Sequence, residues 1–229
     1  MKTIKYFLVM TYSFLFLSLY AQAKSLEENV NQYTNLFGSY PSSTTIMQNS
    51  PLNRGGEMRP KTILKGVFYF GGSDIKRGLL SKNTQDFLCT SGFSATYSVY
   101  DSPKNSSFAC KGNSMSYSKT GEASKSDNGG YRVRQLLENL YNIIQSNDNK
   151  GPVYLHCWYG VHASNTIAQI VLKQFCGWST DELIHNWDNI DIYNSLGEKG
   201  RKENLEKISI FQPYEDLHIS TSAQSLICP

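Results

Sequence analysis

The sequence predicts an α/β domain with a central, mostly parallel sheet flanked by helices, and three observations carry that prediction. Short apolar runs of strand length alternate with stretches of helical period. One run, "GPVYLHC", is apolar and punctuated by Gly-Pro, as a strand buried on both faces reads. The longest periodic stretch, Tyr131 to Gln145, sets Val133, Leu136, Leu137, Leu140, Tyr141 and Ile144 three and four residues apart, the stripe of a core-facing helix.

The 229-residue chain begins with Lys2 and Lys5 ahead of an uncharged, mostly apolar run from Tyr6 to Tyr20 that ends in Ala21-Gln22-Ala23. This is the pattern of a secretory signal peptide over residues 1–23 with a bacterial-style cleavage site, so a periplasmic or secreted location is expected. The run is short for a bilayer span, and no membrane association is expected after cleavage. Residues 24–61 are rich in Asn, Ser, Thr and Pro without a sustained period and are expected to form an extended or loosely docked N-terminal arm.

"TILKGVFYFGG" then concentrates β-branched and aromatic residues before a glycine pair and predicts a strand. "LSKNTQDFLCTSGF" predicts a short helix capped by Ser81, with Phe87 and Leu88 as contacts and Gly92 as its stop. "SATYSVYDS" predicts the next strand, and "SSFACKGNSMSYS" is a further strand candidate. Residues 116–130 are polar, contain glycine and lack a period, which marks a loop of the kind that carries function.

After the helix at 131–145 and the strand "GPVYLHC", "SNTIAQIVLKQFCG" places Ile167, Ile170, Val171 and Phe175 on one side of a helix that stops at Gly177. Ser179 stands three residues before Glu182, the capping-box spacing, and opens another helix. A last helical pattern lies near Lys202–Ile208. The expected organisation is an α/β domain over residues 62–200 and a C-terminal extension, 201–229, packed on it and pinned by Cys228.

Once the signal is removed, 20 basic side chains face 19 acidic ones, scattered rather than clustered. Without a basic patch, nucleic acid is not an expected partner. All five cysteines, Cys89, Cys110, Cys157, Cys176 and Cys228, lie in the exported part, where oxidation favours disulfides and an odd count leaves one over. The count does not determine the pairing. The preferred arrangement joins Cys89 to Cys110 and Cys176 to Cys228, in part because a helix between Cys157 and Cys176 would hold those two about 20 Å apart. His156, His162, His185 and His218 do not combine with Cys157 at a zinc spacing, and neither a metal nor another cofactor is expected.

The leftover thiol then falls in "HCWYGVHAS", His156 to Ser164, between the apolar strand and a helix. A strand that stops at Cys157, turns through Gly160 and enters a helix near Ala163 aims unpaired backbone N–H groups at one point, with the positive helix end behind them. Such a site favours an anion. The same field favours a thiolate, which is how reactive cysteines arise at helix N-termini.

This stretch resembles the signature loop of the cysteine-dependent protein tyrosine phosphatase superfamily, H-C-x-x-G-x-x-R-S/T, with His156, Cys157, Gly160 and Ser164 matching at their spacing. "GPVYLHC" looks like the family's preceding strand and "FCGWSTDELIHNW" like the helices that follow in its dual-specificity branch. The likeness covers about residues 62 to 190 and implies a phosphatase-like fold. It also implies Cys157 as nucleophile and Ser164 as the hydroxyl that supports the departing thiolate. An upstream acid would protonate the leaving oxygen. Asp127, thirty residues before the cysteine, is the first candidate, with a turn or cap beside Asn128-Gly129-Gly130 as its plainer role; Glu122 and Asp101 are weaker substitutes. The phosphate loop would comprise His156, Trp158, Tyr159, Gly160, Val161, His162 and Ala163, with Trp158 and Tyr159 either walling a recognition pocket or simply packing. The expected partner is a phosphorylated small molecule or phosphoprotein.

One departure stands out. Where the family has an arginine that forks two N–H groups onto phosphoryl oxygens, this chain has Ala163. Losing such an arginine costs on the order of 10³ to 10⁵ in rate, and backbone amides with a helix dipole do not replace it. Protonated His162 would lend a charge in its place; a surface or hydrogen-bonded ring is its ordinary reading. Three readings stay open: an exported cysteine hydrolase with reduced turnover, a pseudophosphatase that binds an anionic ligand, and a structural domain with an inert thiol.

Overall fold

Six strands form one mixed sheet in the order β1-β2-β6-β3-β5-β4. They are β1 Lys61–Leu64, β2 Phe68–Gly71, β3 Ala95–Ser98, β4 Ser106–Cys110, β5 Asn113–Lys119 and β6 Val153–His156. β2, β6, β3 and β5 run parallel, and the edge strands β1 and β4 are antiparallel to their neighbours. The computed structural model describes residues 25–34, 36, 60–75, 79–100, 106–146, 150–190 and 197–229. The expected signal segment, most of the expected arm and Asp101 lie outside the described residues.

The parallel strands alternate their side chains between two cores. Phe68, Phe70, Ala95, Val153 and Leu155 face one core, which takes in Leu136, Leu140, Ile167, Val171, Trp187, Ile208 and Phe211. Tyr69, Tyr117, Tyr154 and Met115 face the other, with Tyr33, Leu88 and Phe93. The second layer is apolar in its rings and polar at its tips. Tyr69 Oη donates to the Tyr33 carbonyl at 2.9 Å and Tyr154 Oη to the Gly72 carbonyl at 3.1 Å, so each buried phenol is satisfied.

Seven α-helices cover the sheet among the described residues: α1 Leu26–Tyr33, α2 Lys82–Thr90, α3 Tyr131–Gln145, α4 Ala163–Cys176, α5 Thr180–Ile190, α6 Gly197–Ile210 and α7 Thr221–Ile227. The caps follow the sequence. Ser81 accepts from the Thr84 N–H, Ser179 and Glu182 make their reciprocal box, and Gly177 closes α4 in the left-handed region at φ 67°.

Four local expectations are corrected. The single strand expected over 62–72 is two antiparallel strands, because Gly66, at φ 70°, reverses the chain where its backbone touches α1; a Cβ there would lie 2.6 Å from Val30 N. The single candidate over 106–118 is likewise a hairpin, β4 and β5 joined at Lys111-Gly112, and β5 runs to Lys119, so the loop begins at Thr120 rather than Ser116. The arm is not extended throughout: α1 has a complete Ser25/Glu28 capping box and buries Val30 and Tyr33. Finally, α6 is longer than the pattern near 202–208 and begins at Gly197.

The C-terminal extension closes the first of the two cores. Ile208, Phe211, Leu217 and Ile227 are buried, and Lys65 holds the chain end through its N–H to Ile227 O at 2.8 Å and its ammonium to Cys228 O at 2.9 Å. Disulfides join Cys89 to Cys110 and Cys176 to Cys228, leaving Cys157 free and buried. Their sequence separations are 21 and 52 residues. Chain-entropy scaling therefore predicts that Cys176→Ala with Cys228→Ala lowers unfolding stability by about 4 kcal/mol, against about 3 kcal/mol for the Cys89→Ala, Cys110→Ala pair, measured by guanidinium titration.

Candidate active site

The register of the parallel strands gathers the site. Gly71, His156, Ser98 and Lys119 stand level across β2, β6, β3 and β5. One residue further, Cys157 N–H donates to Gly71 O at 3.2 Å, Val99 N–H to His156 O at 2.9 Å and Thr120 N–H to Ser98 O at 2.9 Å. The segments that follow, Gly72–Asp74, Cys157–His162, Val99–Tyr100 and Thr120–Gly130, therefore open at one edge of the sheet. In open α/β sheets that edge is where ligands bind.

Cys157 is 2 % exposed at the base of the loop. The Gly160 N–H donates to its sulfur at 3.2 Å, and Ser164 Oγ lies 3.1 Å from the same sulfur and 3.2 Å from Gly71 O. A serine has one proton for these two acceptors. With a thiol, S–H donates to Oγ and the serine O–H goes to Gly71 O. With a thiolate, the serine O–H turns to sulfur, and Gly71 O keeps the Cys157 N–H. The site accommodates both forms without stranding a group.

The loop's carbonyls are turned outward. Trp158 O accepts from Ser73 N–H at 3.3 Å, Val161 O from Asn165 Nδ2 at 3.3 Å, and His162 O from Thr166 N–H at 2.8 Å. In a planar trans peptide the N–H points opposite its carbonyl, so the amides of Tyr159, His162 and Ala163 are directed the other way, towards the bowl. The N–H groups of Trp158, Tyr159, Val161, Ala163 and Ser164 find no acceptor among the described residues, and α4 starts at Ala163 without a side-chain cap. Unpaired amides at a helix N-terminus make this loop a candidate anion cradle.

A buried polar network fixes the cradle from behind. Gln169 Nε2 donates to Asn165 Oδ1 at 2.8 Å, Asn186 Nδ2 to Gln169 Oε1 at 2.9 Å, and Trp187 Nε1 to Thr166 Oγ1 at 3.2 Å, while Thr166 Oγ1 donates to Asn204 Oδ1 at 2.9 Å. The polar side of α4 is thus as buried as its apolar side, because α5 and α6 cover it.

His156 is fully buried, stacked on Tyr154, with Nε2 2.6 Å from Tyr117 Oη. Leu80 N–H also donates to that phenol, at 3.2 Å, so the phenolic proton is best spent on Nε2, which leaves the ring proton on Nδ1. Burial pushes the His156 pKa down to about 4, against smaller opposing effects from the Cys157 backbone and the Asp74 charge. The ring is neutral at pH 7. Asp74 itself caps α2 through Ser81 and Thr84.

Trp158 and Tyr159 form the rim, 38 % and 49 % exposed, with Tyr100 against Trp158 at 5.2 Å between ring centroids and His162 against Tyr159 at 6.4 Å. Val161 and Ala163 are buried. Asp127 is exposed, and its carboxylate accepts from the Tyr131 N–H at 3.3 Å at the start of α3, which is the capping role. Glu122 stands differently. The Tyr100 hydroxyl is held far above its ordinary pKa, by burial first, then by the negative charges of Glu122 and Cys157 and a hydrogen bond to Glu122. Tyr100 thus neighbours that carboxylate and, through its ring contact with Trp158, the loop. Lys207 on α6 reaches Glu122 at 3.5 Å.

Sequence reasoning did not single out Tyr100, Tyr117, Asp74 or the Gly71-Gly72 pair. Their only local signal is that each follows or belongs to a strand-like run, and the shared edge depends on register.

The sequence matches no protein-family model and no curated protein. Similarity is found among solved structures, at low sequence identity. The core catalytic domain of the PP-IP phosphatase SIW14 from S. cerevisiae, in complex with citrate, is 13 % identical, with 68 % of this chain and 86 % of that chain covered and a TM-score of 0.44. A second structure of the Siw14 catalytic core is 12 % identical, covering 69 % and 86 %, at a TM-score of 0.45. A glycine-to-alanine mutant form of Tk-PTP is 13 % identical, covering 65 % and 93 %, at a TM-score of 0.42. The likeness is one of fold, and the chemistry of the site rests on the loop itself.

Two outcomes follow from this geometry. Gly160 sits at φ 73° with space for a Cβ only 2.3 Å from Gly72 N, so Gly160→Ala displaces the loop and costs about 2 kcal/mol or more, read as a lowered urea midpoint. The folded-state pKa of His156 lies below its unfolded value of 6.5. Unfolded chains therefore bind the extra proton first, and stability present above pH 6.5 falls as pH drops towards 4, by about 3 kcal/mol at most for this group. Ring-nitrogen NMR shifts of His156 should stay in the neutral range until close to the lower limit.

Proposed function

We propose that this chain is an exported cysteine hydrolase of phosphate esters, slowed by the missing arginine. The convergence of the Gly160 N–H and the Ser164 hydroxyl on one buried sulfur, at the mouth of an uncapped helix, carries this reading. Two disulfides fit an oxidising compartment and support export.

Cys157 thiolate attacks phosphorus while the bond to the leaving oxygen breaks. The leaving oxygen takes a proton from Glu122, assigned here in place of Asp127 because Tyr100 joins Glu122 to the loop whereas Asp127 caps α3. Water then attacks the phosphocysteine, Glu122 accepts its proton, the P–S bond breaks, and the Ser164 hydroxyl stabilises the departing sulfur. Amides of the cradle hold the phosphoryl oxygens throughout. Trp158 and Tyr159 flank the organic part of the ester, so an aryl phosphate is the appropriate probe.

Ala163 favours a second reading, a pseudophosphatase that binds a phosphorylated or anionic ligand without turnover. The two separate in one assay with aryl phosphate. Hydrolysis that disappears in Cys157→Ser and rises on the order of 10³ in Ala163→Arg supports the enzyme. Wild-type binding of phenyl phosphate with no hydrolysis in any of the three proteins supports the binder. Modification of Cys157 by iodoacetamide only after unfolding removes both.

A further inference from the structure

We infer that the C-terminal segment Glu206–Tyr214 is a strut that holds the β5–α3 loop, and Glu122 within it, in a preformed position beside the cysteine loop, with Asn128 as its positioning residue. The inference rests on the reading of Glu122 as proton donor.

The loop is closed on itself and then tied to the strut. Ser124 and Gly129 exchange backbone hydrogen bonds at 3.1 Å in both directions, making residues 124–129 a small hairpin. Asn128, at φ 48°, caps its tip. Asn128 Nδ2 donates to Gln212 O at 2.9 Å, Gln212 N–H donates to Asn128 Oδ1 at 2.7 Å, and Tyr214 Oη donates to Asn128 O at 2.7 Å. Beside this pair the Gly129 backbone lies on the buried Phe211 ring, where a Cβ would come within 3.2 Å. Lys125 pairs with Glu206 at 2.6 Å and Lys207 with Glu122 at 3.5 Å. Those two ion pairs alone would hold little at a surface. The reciprocal bonds of Asn128 and the packing on Phe211 supply the geometry.

The strut is itself anchored to the helix that carries the nucleophile loop. Gln174 Nε2 donates to Tyr214 O at 3.0 Å and Gln174 Oε1 accepts from Tyr214 N–H at 2.8 Å, while Lys173 Nζ donates to the Ile208 and Ser209 carbonyls at 3.1 Å. The Arg134 guanidinium, on α3, lies 4.4 Å over the Tyr214 ring. One continuous path therefore runs from the Cys157 loop along α4, across to Glu206–Tyr214 and into the loop that carries Glu122. A loop that had to close over each ligand would not be bonded at its tip in this way.

The test uses the full chain and the variant Asn128→Gly, which keeps the left-handed backbone and deletes both side-chain hydrogen bonds. Amide hydrogen exchange over residues 120–127 should quicken about tenfold, the loss expected for two modest bonds, with α3 and β6 unchanged. Asn128→Asp, which keeps the acceptor for the Gln212 N–H, should recover part of that protection. Unchanged exchange in the loop, or an equal rise through α3 and β6, overturns the strut. The second readout is leaving-group dependence: in Asn128→Gly, kcat for phenyl phosphate should fall about tenfold while dinitrophenyl phosphate, which needs no proton, is little affected. An equal fall for both esters overturns the positioning role. A wild-type protein that hydrolyses neither ester defeats the enzymatic reading of the site, and the exchange data then decide the strut by themselves.

Discussion

The level register of four parallel strands is the constraint on which this molecule depends. Because Gly71, His156, Ser98 and Lys119 end together, four chain segments far apart in sequence leave the sheet at one edge. β6, like β3, has a parallel partner on each side, so its end is enclosed, and Cys157 is the first residue beyond it. The carbonyls of Gly71 and His156 extend the ladder one step further and set the height at which the loop begins. Every later feature of the site, from the sulfur's two partners to the aromatic rim, is measured from that line.

Enclosure at this edge serves opposite purposes on the two faces of the sheet. On the tyrosine side, His156, Tyr117 and Tyr154 form a fully buried aromatic layer in which His156 Nε2 pairs with Tyr117 Oη and Tyr154 Oη with the Gly72 carbonyl, while His156 Nδ1 has no partner among the described residues. Burial keeps the histidine neutral there, so it braces the loop without contributing charge. On the helix side, the Asn165 amide, itself held by Gln169, and the Thr166 N–H take up the carbonyls of Val161 and His162 and leave the following amides facing the other way. A cradle built from amides needs such backing, since each donor it offers belongs to a peptide whose acceptor must go elsewhere.

Ala163 gives the cradle an unusual balance. The loop supplies directed amides, a hydroxyl and a helix dipole, with Glu122 and Asp74 as nearby carboxylates and no arginine at the position that would fork onto a phosphoryl group. On the proposed reading an anion is held there mainly by geometry. That weakens the transition state of phosphoryl transfer more than it weakens binding, since preorganised charge matters most where charge is redistributed. The same balance makes the placement of the proton donor matter more, and the C-terminal extension bears directly on that placement through Asn128.

The helices α2, α3, α4 and α5 were legible because their caps and stripes are local: Ser81, Gly177, the Ser179 and Glu182 pair, and the apolar spacing after Tyr131. The nucleophile loop was legible for the same reason, its spacing being contained within nine residues, and the preferred cysteine pairing is the one the structure contains. The two hairpins were less so, since Gly66 and Lys111-Gly112 lie inside runs that read as single strands. The meeting of Tyr100 and Glu122 was beyond sequence spacing, because the two come together only when β3 and β5 pair in parallel. By itself, then, the sequence determined the alternation of elements, their termini and the residues of the cysteine loop, all set by interactions within a few positions. Which strands lie side by side, which carboxylate neighbours Tyr100 and what the last thirty residues hold in place were decided by the tertiary structure, since each depends on contacts between segments whose separation along the chain carries no local signal.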